Sequence, residues 1–352
     1  MIYRARVNAP IDRARRGLRL LHGGARVLAA RAFGGSFPFS MTFILTHRCN
    51  FRCEYCNIPD AADHEMTTDE FRRALDELAA AGLVRASFSG GEALLRRDAR
   101  EIIRHARGLG LQTSLNSNAW LALQHIDELA EILDLLVVSL DGPQAVHDLV
   151  RHRAGSYDRV IATLAAARAR GLATATITVL SRQNLHVMDE VIDLAIRYGF
   201  YAYFQPAYED CFDHRRGFDA GIEPRIFHDI AGRLRLAHAR GEPVGASPRF
   251  IERLAAGPNF GDCETCTAGR FWGTVLPEGR LIPCHLTASE PDFVAPSGLE
   301  LGFAEAFRRL PAHKRGPGCA ISPYQETDLI FALNPQAIHA ALRRLLGPRS
   351  PS

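Results

Sequence analysis

The stretch THRCNFRCEYC, Thr46 to Cys56, decides how this chain is read: it sets Cys49, Cys53 and Cys56 at CxxxCxxC spacing. Thiolate metal sites usually take four ligands, and no fourth cysteine lies nearby. The residues before the cysteines, FSMTFILT (39–46), alternate like a strand and deliver the chain straight to the cluster. Three thiolates on one short loop suit one face of an iron–sulfur cubane whose last iron stays open, an arrangement of catalytic rather than structural sites. Zinc would need a fourth protein ligand, for which only His47 or His64 stands within reach.

Outward from this loop the pattern alternates between β-rich runs and helical stretches. Strands are expected at 39–46, 84–89, 111–117, 135–140, 173–180 and 200–206, each except the last followed closely by a helix. Thr67 and Glu70 have capping-box spacing ahead of a helix whose Phe71, Leu75 and Leu78 recur at helical intervals. A further helix is expected near 224–239. Repeated βα units imply a parallel sheet, and six of them make a partial (β/α)6 TIM-like barrel, since closure takes eight. Chemistry in such sheets collects at the C-terminal strand ends. SGGE, ending at Glu92, the segment reaching Asn118, SLDG, ending at Gly142, and SRQN, ending at Asn184, all fall there.

These residues resemble the radical S-adenosylmethionine (SAM) superfamily, whose signature is CxxxCxxC at the end of the first barrel strand. Tyr55 fills the aromatic position before the last cysteine. In that superfamily the fourth ligand is SAM itself, chelating the open iron of a [4Fe-4S] cluster held by three cysteines, here Cys49, Cys53 and Cys56. The resemblance implies further cofactor-binding positions. Gly90, Gly91 and Glu92 match the GGE motif, with the glycines admitting the cofactor's amino group and Glu92 accepting from it. Ala93 stands where proline is frequent. Asn118 matches a TNG motif whose glycine is replaced by Ala119. Ser139 and Arg151, in VSLDGPQAVHDLVR, match a serine and a carboxylate-gripping arginine. Leu180 matches an adenine-packing position. Asp141 reads equally well as a helix cap or turn residue.

A second group, Cys263, Cys266 and Cys284, lies in CETCTAGRFWGTVLPEGRLIPCHL, whose inner half reads as a β-hairpin with a Pro-Glu-Gly turn. This resembles the auxiliary-cluster domains of the same superfamily, SPASM and the shorter Twitch type, and implies a second [4Fe-4S] cluster. Five cysteines outside the first loop are too few for two auxiliary clusters. Cys319 is the first choice for its fourth ligand, with Cys211 or a substrate atom as alternatives. Cys211, past the sixth strand, is also a candidate hydrogen-atom donor.

Three segments are expected: a basic N-terminal extension (1–38), the core barrel (39–240), and a small hairpin-and-helix auxiliary domain with its tail (241–352). Residues 1–36 hold eight arginines against one acid, Asp12. Such a start suits a helix capping the fold, or weak contact with an acidic membrane surface; Gly23-Gly24 is expected to interrupt it. A formal charge of +3 argues against nucleic acid. No apolar run approaches the ~18 residues of a membrane span, and no secretory signal is evident. Reduced cysteines fit the cytoplasm.

The resemblance implies reductive SAM cleavage and hydrogen abstraction from a peptide or small molecule, with net oxidation or bond formation. A flavodoxin or ferredoxin would supply electrons. Two alternatives stand beside it. One is a cyclase of cofactor biosynthesis like the molybdopterin-pathway enzyme, whose Gly-Gly tail this chain lacks. The other is a non-catalytic zinc or iron–sulfur module, which has no need of the SGGE and SLDGP segments.

Overall fold

The computed structural model describes residues 10–56, 64–207, 224–257, 266–285, 292–311, 319 and 321–345. Six parallel strands lie side by side in chain order: β1 (Ser40–Ile44), β2 (Arg85–Ser89), β3 (Gln112–Ser117), β4 (Leu135–Ser139), β5 (Ala173–Leu180) and β6 (Tyr201–Pro206). Helices between successive strands cover the outer face, so the sheet is the open six-unit barrel that the alternating pattern implies. Each strand lies within the range expected for it.

Local chemistry sets the helix ends. The Thr67 hydroxyl accepts from the Glu70 N–H while Glu70 accepts from the Thr67 N–H, so the capping box forms as its spacing requires. That helix, α2 (Thr68–Ala81), ends at Gly82 in the left-handed region, φ 117°.

The C-terminal part does not fold away from the barrel. The expected hairpin forms as β7 (Trp272–Val275) and β8 (Leu281–Ile282), and β7 joins the sheet parallel to β1, pairing Ser40 with Trp272 and Phe43 with Val275. At the opposite edge, Ala202 of β6 bridges to Val244. Phe250, Leu281, Phe303, Phe307 and Leu329 pack into the same core as Phe43, Phe88 and Leu115. One continuous apolar interior therefore serves both regions.

The N-terminal helix departs from expectation: α1 (Pro10–Phe33) runs unbroken through Gly23-Gly24. Tertiary packing outweighs the ~1 kcal/mol helix penalty of a glycine. A Cβ at Gly23 would stand 2.6 Å from Val84 Cγ2 and 2.9 Å from Phe39 Cε2, so the bare backbone is what lets α1 lie against the start of β1 and β2. Two of its arginines reach the ends of other helices. Arg26 donates to the Ala81 carbonyl at 2.9 Å and Arg31 to that of Phe331 at 2.9 Å, each satisfying a helix-end acceptor.

Candidate active site

The loop after β1 carries Cys49, Cys53 and Cys56 at the C-terminal strand ends, with all three thiols free of disulfides. They pack in one apolar cluster with Phe51, Tyr55, Val150, Val179 and Ala207. Burial pushes the Cys49 thiol up to about 11, opposed by the Phe51 N–H that donates to its sulfur at 3.4 Å. Burial likewise raises Cys53, against the pull of Arg151. Such thiols stay protonated near neutral pH unless a cation claims them, as an iron ion would. Three thiols gathered in one apolar cluster, with one guanidinium beside them, fit a [4Fe-4S] cluster.

The SGGE segment is bonded to this loop. Gly91 N–H donates to the Thr46 carbonyl and Glu92 N–H to that of Arg48, both at 2.9 Å. A Cβ at Gly90 or Gly91 would collide with the Thr46 or Arg48 carbonyl oxygen, so both positions need glycine for contact between protein segments. Glu92 is fully buried and reaches sideways: it accepts from the Ser117 hydroxyl (3.0 Å), Asn118 N–H (2.8 Å) and Leu94 N–H (3.1 Å). Burial raises its pKa while these donors lower it.

Asn118 in turn donates to Asn50 Oδ1 at 2.8 Å, and its Nδ2 stands 3.9 Å from Cys49 Sγ. Ala119, in the place of a glycine, holds a left-handed backbone, φ 66°. Such a conformation costs a non-glycine residue about 1–2 kcal/mol.

From the other side comes Arg151. Its Nε donates to Asp141 Oδ2 at 2.6 Å, and its Nη1 lies 3.6 Å from Cys53 Sγ. Asp141 also accepts from Val179 N–H (3.0 Å) and the Tyr55 hydroxyl (3.3 Å). Its own N–H donates to His147 Nδ1 at 3.1 Å, and its carbonyl accepts from Asn184 at 3.0 Å. Asp141 is neither a helix cap nor a plain turn residue. It is a buried junction of β4, β5, the cysteine loop and the helix Gln144–Val150. Sequence reasoning weighed Asp141, placed the segment ending at Asn184 at a strand end, and passed over His147, which lies inside the helix Gln144–Val150.

Ser139 closes β4 opposite Ile177, half-buried. Leu180 closes β5, fully buried in the main core. Cys211 and Cys263 lie outside the described residues.

The second cysteine group sits elsewhere. Since β7 runs parallel to β1 and Trp272 pairs with Ser40, Cys266 precedes and Cys284 follows the hairpin at the N-terminal strand ends. Both pack with Phe37, Phe39, Phe271 and Trp272. The length of β1 and its exit to Thr46, about 20 Å at ~3.3 Å per residue, separates them from the first loop. The helix Ser322–Phe331 ties this region together. Its Asp328, fully buried, accepts from Thr267 N–H (2.9 Å), the Thr267 hydroxyl (2.6 Å) and the Trp272 indole N–H (2.9 Å). Its Gln325 donates to the Cys319 carbonyl at 3.0 Å. Neither residue carries a motif that sequence reading could single out.

With this geometry in place, the likeness to known proteins has a structural footing. A model of the radical SAM superfamily matches residues 43–195. A PqqA peptide cyclase of Rhodopseudomonas palustris is 29% identical over 326 residues, spanning 85% of this chain and 82% of that protein. One of Ruegeria pomeroyi is 36% identical over 281 residues, spanning 72% and 69%. Among solved structures, Streptococcus suis SuiB bound to S-adenosylmethionine superposes with a TM-score of 0.63 at 15% identity, covering 81% of this chain and 69% of SuiB. Native anSMEcpe with bound AdoMet gives 0.62 at 15% identity, covering 87% and 100%. At such identity these two establish the fold, while the cyclases establish descent. The chain belongs to the radical SAM superfamily and is an enzyme of it, with S-adenosylmethionine and a [4Fe-4S] cluster as its cofactors.

Proposed function

We propose that this enzyme modifies a peptide, with Cys49, Cys53 and Cys56 as ligands of the SAM-binding cluster. The observation that carries the site assignment is the Arg151 guanidinium, fixed by Asp141 and 3.6 Å from Cys53 Sγ. A guanidinium so held is a ready partner for a carboxylate at the edge of the thiol cluster. The peptide rests on kinship with proteins named PqqA peptide cyclase.

When bound, the cluster and SAM supply reductive bond cleavage and hydrogen abstraction; the chain supplies place and dryness. Arg151 orients the cofactor's carboxylate. Glu92 and Asn118 lock the ends of β2 and β3 to the cysteine loop, so that loop and cofactor pocket keep one geometry. In this reading Tyr55, Gly90, Gly91, Ser139 and Leu180 complete the cofactor's surroundings. Phe51, Tyr55 and Val179 exclude water beside the thiols. Cys211 is the proposed hydrogen-atom donor.

Residues 241–352 serve as the auxiliary region, with Cys263, Cys266, Cys284 and Cys319 as ligands of a second [4Fe-4S] cluster. Cys266 and Cys284 lie at the far end of β1 from the mouth, which favours moving electrons over gripping substrate. A flavodoxin or ferredoxin in the cytoplasm is the proposed electron donor.

The test is anaerobic reconstitution followed by assay with SAM, dithionite and candidate peptides. The reading expects a peptide to stimulate 5′-deoxyadenosine formation and to emerge lighter by two hydrogens or internally cross-linked. Stimulation by small molecules alone would contradict it.

A further inference from the structure

His147 is a buried titratable group to which the cofactor chemistry gives no use. Its side chain is 1% exposed. Its Nδ1 accepts from the Asp141 N–H at 3.1 Å, and its Nε2 meets no hydrogen-bond partner among the described residues. An Nδ1 that accepts leaves the neutral ring's one proton on Nε2. That N–H is therefore buried without an acceptor, with the Tyr157 ring in edge-to-face contact at 6.3 Å between centroids. Native structures rarely keep such an orphan, and a leucine would fill the space without one. What the imidazole supplies and leucine lacks is the acceptor at Nδ1.

That acceptor matters because of what stands one turn further on. The Arg151 N–H donates to the His147 carbonyl at 3.0 Å, so the two residues share one face of the helix Gln144–Val150 and its C-terminal cap. Both reach the same residue. His147 takes the backbone N–H of Asp141, and Arg151 Nε donates to its carboxylate at 2.6 Å. Asp141 is itself anchored, its Oδ1 by the Val179 N–H and its carbonyl by Asn184, each at 3.0 Å. The helix has no capping side chain at its start. Two contacts one turn apart resist rotation of the helix, which a single contact does not. That rotation decides where the rest of the guanidinium points, here with Nη1 3.6 Å from Cys53 Sγ. Burial, then Arg151, brings the ring's pKa down to about 3, so Nδ1 stays an acceptor at neutral pH.

We propose that His147 is a positioning residue for S-adenosylmethionine: through the Asp141 backbone it sets the helix Gln144–Val150 so that Arg151 turns its remaining edge to the cofactor's carboxylate. This rests on the reading of Arg151 given above. His147 acts through Arg151 and not on the cofactor. Its loss loosens the guanidinium without removing it, so SAM binding suffers while cleavage of SAM already seated does not.

Equilibrium dialysis of SAM against the iron-reconstituted enzyme, beside its cleavage kinetics with dithionite, tests this. His147→Leu, which fills the space without an acceptor, is expected to weaken SAM binding about 10-fold while the rate at saturating SAM holds within about 3-fold. His147→Asn places an amide oxygen near the Nδ1 position and is expected to stay within about 3-fold of the unaltered enzyme in both. Arg151→Lys keeps a cation beside Asp141 but loses the fork, and is itself expected to weaken binding. Adding His147→Leu to it should weaken binding no further, because nothing is left to position. Iron content and far-UV circular dichroism show that each variant is loaded and folded. Should His147→Leu take up no iron, His147→Gln, whose amide lies one bond further out, serves in its place. Unchanged binding in His147→Leu beside a loss in Arg151→Lys overturns the proposal and spares the reading of Arg151; unchanged binding in both overturns both. Additive losses in the double variant, or equal losses in His147→Asn and His147→Leu, also overturn it, since the ring would then act by packing alone.

Discussion

Arg151 and Asp141 form an ion pair at 2.6 Å with side chains 7% and 0% exposed, and this pair lies against Cys53 and Tyr55 of the cysteine loop. Paired buried charges add little net stability, but breaking such a pair leaves one charge uncompensated and costs about 3–5 kcal/mol. Asp141→Asn is expected to lose that much in urea unfolding, because Arg151 stays buried without its counter-ion. Tyr55→Phe, which removes a 3.3 Å hydrogen bond to the same carboxylate, is expected to lose about 0.5–1.5 kcal/mol.

His147 gives the fold an acid limit. Burial first, and the nearby Arg151 second, bring its pKa from 6.5 to about 3. Below pH 6.5 the unfolded chain takes up a proton at this ring that the folded chain refuses until about pH 3. Stability is therefore whole above 6.5 and falls as pH drops, by ~1.4 kcal/mol per unit from this group alone. His147→Asn keeps an acceptor for the Asp141 N–H, and its urea midpoint should vary less between pH 6 and 4, by that slope. An unchanged slope would place the acid sensitivity elsewhere.

Two glycine substitutions of opposite sign test the packing account. Gly91→Ala forces a Cβ onto the Arg48 carbonyl oxygen and should displace the cysteine loop, seen as lost cluster absorbance after reconstitution. Gly17→Ala meets nothing within 4 Å in a helix interior and should raise stability by about 0.5–1 kcal/mol.

Asp328 holds the segment that carries Cys266. Asp328→Asn keeps the shape but loses the charge that accepts three hydrogen bonds, at about 1.5–3 kcal/mol. Iron per chain is expected to fall from about eight towards about four, while SAM cleavage uncoupled from product continues. Full iron content in a folded variant would separate Asp328 from the second site.

The sequence made the six-strand order and the first cysteine loop legible because both are local. Strand alternation, capping spacing and CxxxCxxC each span a few residues. What escaped depends on contacts between distant positions. The pairing of β7 with β1 joins residues more than 200 apart, and no local pattern encodes it. Gly23 reads as a helix breaker until Val84 and Phe39 are known to press on it. SGGE announces a close approach; only the structure shows that the Thr46 and Arg48 carbonyls are what approaches. Asp141 and Asp328 are single acids among 39 acidic residues, distinguished only by burial and by the donors that fold around them.

The most direct measurement is 5′-deoxyadenosine formed by dithionite-reduced, iron-reconstituted Cys53→Ala, compared with the unaltered chain. The account expects turnover by the unaltered enzyme and none by the variant, with the variant still folded and its second cluster still spectroscopically visible. Undiminished SAM cleavage by Cys53→Ala would contradict it.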